Sequence, residues 1–261
     1  MKSIFRAEFY KLGTQPVLWL FVALFFLGTG NYYGLYGAEV FGLYRGLVLF
    51  GLPSLAWLPW CFVTAIAAGL SIGGDFSTGT VKNALTAGIA RRDYYFARLG
   101  VQMLLTAFGF GLGQLAYIVC HVVRPWHLWE DSGREIQMFG AKLALYILVS
   151  LLQLIAYVSV VNAVCYYVKR QVAAMVTGMV LIYMETILRQ LAESGNLETL
   201  QQITRYLPAR ILYDLFSSAA YDRVLTADFL GYGISALAII AASSIAGYVK
   251  FESFPGEICS K

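Results

Sequence analysis

The sequence predicts an all-α integral membrane protein with six transmembrane helices, and three observations carry that prediction. Of the 261 residues, 59% are hydrophobic and only 13% charged, with a mean hydropathy of +0.66. Soluble domains are nearer a quarter charged, roughly. Apolar runs at residues 17–37, 48–74, 99–123, 143–168, 171–188 and 229–249 have the length of membrane spans, which takes about 20 helical residues. Lysine and arginine fall mostly in the short segments between those runs, the placement that sets orientation in a bilayer. The runs are spread evenly and no linker divides them, so residues 1–261 read as a single transmembrane domain.

Residues 1–15 alternate Lys2, Arg6, Glu8 and Lys11 with Ile4, Phe5, Phe9, Tyr10 and Leu12, the pattern of an amphipathic helix lying on the inner leaflet. A signal peptide would continue into a cleavable apolar run of about 7–15 residues; the run 17–37 is longer and is span one. Span two, 48–74, carries Pro53 and Pro59 with Trp57 and Trp60. Prolines kink a membrane helix and free backbone carbonyls. The aromatic, kinked helix suits the wall of a substrate path, and its tryptophans equally suit an interfacial belt.

Residues 75–98 are the longest polar, charge-bearing interruption in the first half of the chain, with Lys82, Arg91, Arg92 and Arg98. Val81, Ala84, Leu85 and Gly88 or Ile89 recur at helical spacing, with Thr80 or Ser77 available as a cap and Gly88 as a stop. This predicts a short amphipathic helix held flat under the membrane, followed by Tyr94, Tyr95 and Phe96 at the bilayer surface. Span three, 99–123, contains the glycines of GFGLG, Gly109, Gly111 and Gly113. No strand precedes them, so they are no nucleotide fingerprint; they are expected to allow close helix packing. Residues 124–142 read as a wet outer loop that holds one of the two histidines, His127, with His121 just before it. Too few ligands converge there for a metal.

In span four, 143–168, Asn162 is the strongly polar residue and is expected to bond another helix. Lys169 and Arg170 turn the chain into span five, 171–188, where Met175, Met179 and Met184 roughly share a face. Glu185 stands near its outer end. An acid in a span is a functional-site candidate, but at this depth it can also snorkel to the interface as an anchor. Residues 189–228 predict an outer hairpin of two short helices broken at Pro208. In span six, 229–249, Gly231, Ser235, Ala238, Ala242 and Ala246 recur at steps of three or four, a small-residue packing face.

Counting Lys and Arg over the alternating segments places both termini, residues 75–98 and the Lys169–Arg170 turn inside. The net charge of +4 is no nucleic-acid signature, and the four cysteines are scattered without a C-x-x-C pair. No P-loop, zinc-protease or nucleophile-elbow motif occurs. Deep acids that would couple a carrier to an ion gradient are scarce. Energy is therefore expected from a separate subunit, docked on residues 75–98. A gradient-driven secondary carrier or channel without an ATPase partner is the alternative; an embedded enzyme lacks recognisable catalytic residues.

The run Asp75-Phe76-Ser77-Thr78-Gly79-Thr80-Val81-Lys82-Asn83, continuing through Gly88-Ile89-Ala90-Arg91, resembles the first cytoplasmic loop of the ABC type-2 transporter permeases. That family places an acidic–aromatic pair, Gly-Thr, a basic residue and Gly-x-x-Arg before its third span. Here Asp and Phe stand where Glu and Tyr are more usual. Arg6-Ala7-Glu8-Phe9-Tyr10-Lys11-Leu12 is similar to the family's amino-terminal interfacial helix, and Tyr206-Leu207-Pro208 to the break in its outer re-entrant hairpin. The resemblance implies a permease subunit in a bacterial cytoplasmic membrane that exports an amphipathic peptide, antimicrobial or drug. It implies a homodimer, each copy docking one ATP-binding-cassette subunit that carries the ATP and Mg; this chain would bind no cofactor. Asp75, Phe76, Gly79, Thr80, Val81, Lys82, Leu85, Gly88, Ile89, Arg91 and Arg92 would form the coupling element. Val81, Leu85 and Ile89 would fill the partner's cleft, and Lys82, Arg91 and Arg92 would pair at its rim. Pro53, Trp57, Trp60, Met179 and Glu185 would line the substrate path.

Overall fold

Long apolar runs without backbone partners elsewhere become helices, because a helix satisfies every N–H and C=O within itself. The computed structural model describes residues 6–7, 10, 57–122, 129–195, 198–208, 210–212 and 226–253, and among these there is no strand. Helix α1 (Trp57–Ala68) runs into a π-helical turn, Gly69–Gly73, and then a single α turn, Gly74–Ser77. After it come α2 (Thr80–Thr86), α3 (Arg91–Val122), α4 (Trp129–Val168), α5 (Gln171–Ser194), α6 (Glu198–Thr204) and α7 (Thr226–Glu252). Among the described residues, four stretches are long and apolar enough to cross a membrane: Arg91–Leu112, Ala144–Val168, Gln171–Ala192 and Phe229–Glu252. Arg6, Ala7 and Tyr10 are helical and exposed. The rest of residues 1–15, span one and the first part of span two lie outside the described residues, as does 213–225 of the outer hairpin.

Several element boundaries differ from the expectation. Helix α4 begins at Trp129, so residues 129–142, expected in an outer loop, are helical and continuous with span four. Helix α3 begins at Arg91, not at 99, so Tyr94 and Tyr95 are buried within it instead of resting at a bilayer surface; Phe96 alone of the three is exposed. The early start is possible because Arg98 meets an opposite charge inside the protein. Helix α5 continues past 188 to Ser194. In the hairpin region, α6 folds back on it, with Gln201 Nε2 donating to the Ala192 carbonyl at 2.8 Å. Pro208 then starts a new helical segment, where its missing N–H costs nothing, and Ile211 N–H bonds the Leu207 carbonyl at 3.0 Å.

The most extensive helix contact joins α4 to α7. Gln153 Nε2 donates to the Tyr232 carbonyl at 2.9 Å, the Ser159 and Ser243 hydroxyls bond at 2.6 Å, and the rings of Tyr146 and Phe229 meet edge to face at 4.9 Å. The buried face of α7 is Phe229, Tyr232, Ala236, Ser244, Gly247 and Phe251. The expected small-residue face is not it: Ala238, Ala242 and Ala246 are exposed. Three large aromatics at helical spacing bury more apolar area than a row of alanines, and they set the rotation of the helix.

A second correction concerns glycine. Nothing lies within 4 Å of where a Cβ on Gly111 would be, so that residue of GFGLG mediates no close packing. The close approach occurs instead at Gly69 and Gly73, a small-xxx-small pair in the π turn. A Cβ on Gly73 would sit 2.6 Å from the Gln171 Cα, and one on Gly69 2.5 Å from Met175 Cγ. The π turn thus lies backbone to backbone on the first turns of α5.

Candidate functional site

The amino end of α3 and the carboxyl ends of α4 and α7 converge on the short segment that joins α1 to α3. Two polar pairs at helical spacing make the junction. Ser71 and Asp75 share a face at the end of the α1 helix, and Tyr94 and Arg98 share a face of α3. Arg98 forms an ion pair with Asp75. Its guanidinium also donates from Nη1 to Ser71 Oγ at 2.8 Å and from Nη2 to the Ser71 carbonyl at 3.3 Å. The Tyr94 hydroxyl donates to Asp75 Oδ2 at 2.8 Å. Asp75 and Arg98 are both 0% exposed. Desolvating two charges is costly unless the geometry is good and further hydrogen bonds satisfy them; Tyr94 and Ser71 supply those bonds.

Aromatic rings enclose the pair. Phe76 meets Tyr166 edge to face at 5.6 Å, Tyr95 lies 4.9 Å from Tyr166, and Phe251 lies 5.0 Å from Tyr166 and 5.9 Å from Tyr94. Arg91 closes the outside of the cluster by donating to the Glu252 carbonyl at 2.6 Å, a cation at a helix carboxyl terminus.

The joining segment itself is built by two glycines in left-handed conformation, Gly79 (φ 72°) and Gly88 (φ 84°). The expected cap at Thr80 or Ser77 is absent: α2 has no side-chain cap, and Ser77 Oγ and Thr78 Oγ1 donate to the Gly74 carbonyl at 2.8 and 2.9 Å. Thr80 is half-buried and its hydroxyl bonds Thr78 at 2.8 Å. Gly88 is the stop it was expected to be. Ile89 N–H bonds the Ala84 carbonyl at 3.2 Å and Gly88 N–H the Leu85 carbonyl at 3.1 Å, the paired bonds of a Schellman ending.

The apolar face of this segment points inward. Val81 is buried in the core, and Phe76, Leu85 and Ile89 pack against it. Of the face expected to enter a partner's cleft, Val81 is buried and Leu85 and Ile89 are half-buried against the chain's own helices, and Asp75 is internal. What α2 and its flanks present outward is Ser77, Thr78, Asn83, Thr86, Ala87, Gly88, Ala90 and Arg92, with Lys82 and Arg91 half-buried beside them. The outward face is polar and basic.

The expected substrate-path residues lie elsewhere. Met179 and Glu185 are half-buried on α5, and Glu185 is engaged with the surrounding chain. Glu185 stands about 20 Å along the helix from Gln171, at a rise of ~1.5 Å per residue. Trp57 and Trp60 are helical in α1, and Pro53 lies outside the described residues. Asn162 is fully buried on α4, and its amide faces the buried Tyr95 hydroxyl of α3, the helix-to-helix contact expected of it. Among the described residues no three His, Cys, Asp or Glu side chains converge as metal ligands would.

Arg98, Tyr94 and Ser71 carry the site; the sequence alone places Arg98 as a loop charge and Tyr94 at the bilayer surface, and does not mark out Ser71. The available signal was the pair of i, i+4 polar couples on either side of the loop. No family model matches the chain, and no curated protein does. The functional reading rests on the site itself.

Proposed function

We propose that this chain is the permease subunit of an ATP-driven exporter in a bacterial cytoplasmic membrane, acting on an amphipathic peptide, antimicrobial or drug. In this reading the chain spans the membrane six times with both termini inside, carries an outer re-entrant hairpin, pairs with a second copy, and docks a separate ATP-binding-cassette subunit. The observation that carries it is the segment between α1 and α3. A seven-residue helix lies between two left-handed glycines, shows a polar, basic face outward, and is tied to a membrane helix by a buried ion pair. An element so braced transmits a push. Force on α2 would pass through Asp75 to Arg98 in α3, through Phe76 to Tyr166 in α4, and through Gly73 to the start of α5. Val81, Leu85 and Ile89 hold the element to the chain, while Asn83, Thr86 and Arg92 meet the partner. Asp75 works by position.

The test is reconstitution in vesicles with whichever P-loop ATPase co-purifies with this chain from its native membrane, and a fluorescent amphipathic peptide as cargo. ATP should drive peptide movement, and Asn83→Trp or Arg92→Glu should abolish both movement and ATPase stimulation while the membrane subunit keeps its thermal midpoint. Movement that needs no ATP and stops with a protonophore would instead mark a gradient-driven carrier. Topology is checked separately in a background lacking native cysteines: Ser132→Cys should label from outside and Asn83→Cys should not.

A further inference from the structure

The turn between α4 and α5 contains an unexplained cost. Lys169 adopts φ 58°, a left-handed conformation that glycine visits freely, asparagine tolerates, and lysine does not prefer. Lys250, in the last turn of α7, acts on it as a like charge. Partial desolvation first, and Lys250 second, hold the Lys169 pKa below the usual lysine range. Two separate penalties thus fall on one residue, and Asn or Gly at this position would avoid both. Backbone strain that persists where a cheaper residue exists points to function.

The surroundings indicate what is recognised. Lys250 Nζ lies 5.3 Å over the ring of Tyr167, which is half exposed. Arg170 is exposed and extended, and it begins α5 without a side-chain cap. The apolar stretches of α4, α5 and α7 end or begin within a few residues of this point, so the cations stand at the level of lipid headgroups. Basic groups between membrane helices at this depth suit an anionic headgroup, and a phosphate would relieve the repulsion between the two ammonium groups.

We infer that Lys169, Arg170 and Lys250, with the Tyr167 ring beside them, form a binding site for the phosphate of an anionic phospholipid at the junction of α4, α5 and α7. The site is independent of the transport reading above, because it needs only that these helices cross a membrane.

The full-length protein, purified from membranes and exchanged into mixed micelles of phosphatidylglycerol and phosphatidylcholine, is weighed intact by native mass spectrometry. Wild type should retain phosphatidylglycerol in preference to phosphatidylcholine. Lys169→Asn keeps the left-handed turn and removes the charge; Lys250→Gln removes the second. Each should lower the preference by about fivefold, and the double variant should abolish it. Lys82→Gln, a cation on the same side but outside the cluster, should leave it intact. If Lys169→Asn perturbs elution or helical content, Lys250→Gln alone carries the test. Equal retention of both lipids by wild type overturns the site, as does preference surviving the double variant or lost equally in Lys82→Gln. Displacement of phosphatidylglycerol by inorganic phosphate would overturn the lipid assignment. Loss of stability of the same size in neutral and anionic lipid, with retention unchanged, would mean the lysines only cap the carbonyl ends of α4 and α7.

Discussion

Asp75 and Glu185 are both carboxylates set among apolar helices, and the protein treats them in opposite ways. Asp75 is wholly enclosed, ion-paired to Arg98 and bonded by Tyr94. Glu185 is half-buried on α5, a helix of whose apolar span only 17% is buried in the chain. The acid that looked like a loop residue is the core of a junction, and the acid that looked like an intramembrane site sits on a thinly packed helix. Position in a hydropathy profile does not report desolvation. The partners do, and they come from distant parts of the chain.

The largest effect should follow from breaking the enclosed pair. Asp75→Asn leaves the Arg98 guanidinium charged and uncompensated among aromatic rings, and the expected loss is about 3–5 kcal/mol. It should be read as a lower thermal midpoint in detergent and poorer membrane yield. Asp75→Leu with Arg98→Met removes both charges and should recover most of the loss. An Asp75→Asn variant as stable as wild type would erase the contrast with Glu185.

Next comes the clamp that holds the junction to α5. Gly73→Val drives a side chain toward the Gln171 backbone, which cannot yield as a side-chain tip would; overpacking of this kind costs about 1–3 kcal/mol. Gly111→Val, which meets open space, is the matched control and should change the midpoint little. Equal effects at the two glycines would show that the close approach to α5 is not what fixes the segment. Tyr94→Phe is smaller again. It deletes one hydrogen bond to a charged group that keeps its ionic partner, and about 1.5 kcal/mol is expected. A loss as large as that of Asp75→Asn would mean that Tyr94 holds Asp75 in place, and Arg98 does not.

These contrasts mark what was legible in the sequence. The helical class, the spans from 144 and 229, the Gly88 stop and the break at Pro208 all follow from local rules: hydropathy length, left-handed glycine, proline at a helix start. The start of α3 did not, because Arg91, Arg92 and Arg98 count as loop charges until Arg98 is known to be neutralised by a residue 23 positions earlier, 98 less 75. The rotation of α7 did not either. Both a small-residue face and an aromatic face are present at helical spacing, and only packing against α4 selects between them. The inward turn of Val81, Leu85 and Ile89 has the same cause: amphipathicity gives a helix an apolar side but not what that side meets.

The smallest expected effect tests the other half of the comparison. Glu185→Gln keeps volume and hydrogen-bonding capacity and removes only the charge. On a half-buried position of a helix whose neighbouring residues Tyr183, Met184 and Ile187 are exposed, that change should alter stability by no more than about 0.5 kcal/mol. The thermal midpoint should therefore stay close to wild type in the detergent where Asp75→Asn falls. Function is the sharper reading. If Glu185 only anchors the outer end of α5, Glu185→Gln leaves peptide movement and ATPase stimulation unchanged. If Glu185 shapes an outer gate, Glu185→Gln changes movement with stability unaltered. That result would make the half-buried acid the working one and the enclosed acid the structural one. A stability loss matching that of Asp75→Asn would show instead that both carboxylates are held by buried partners, and the distinction drawn between the two ends would fail.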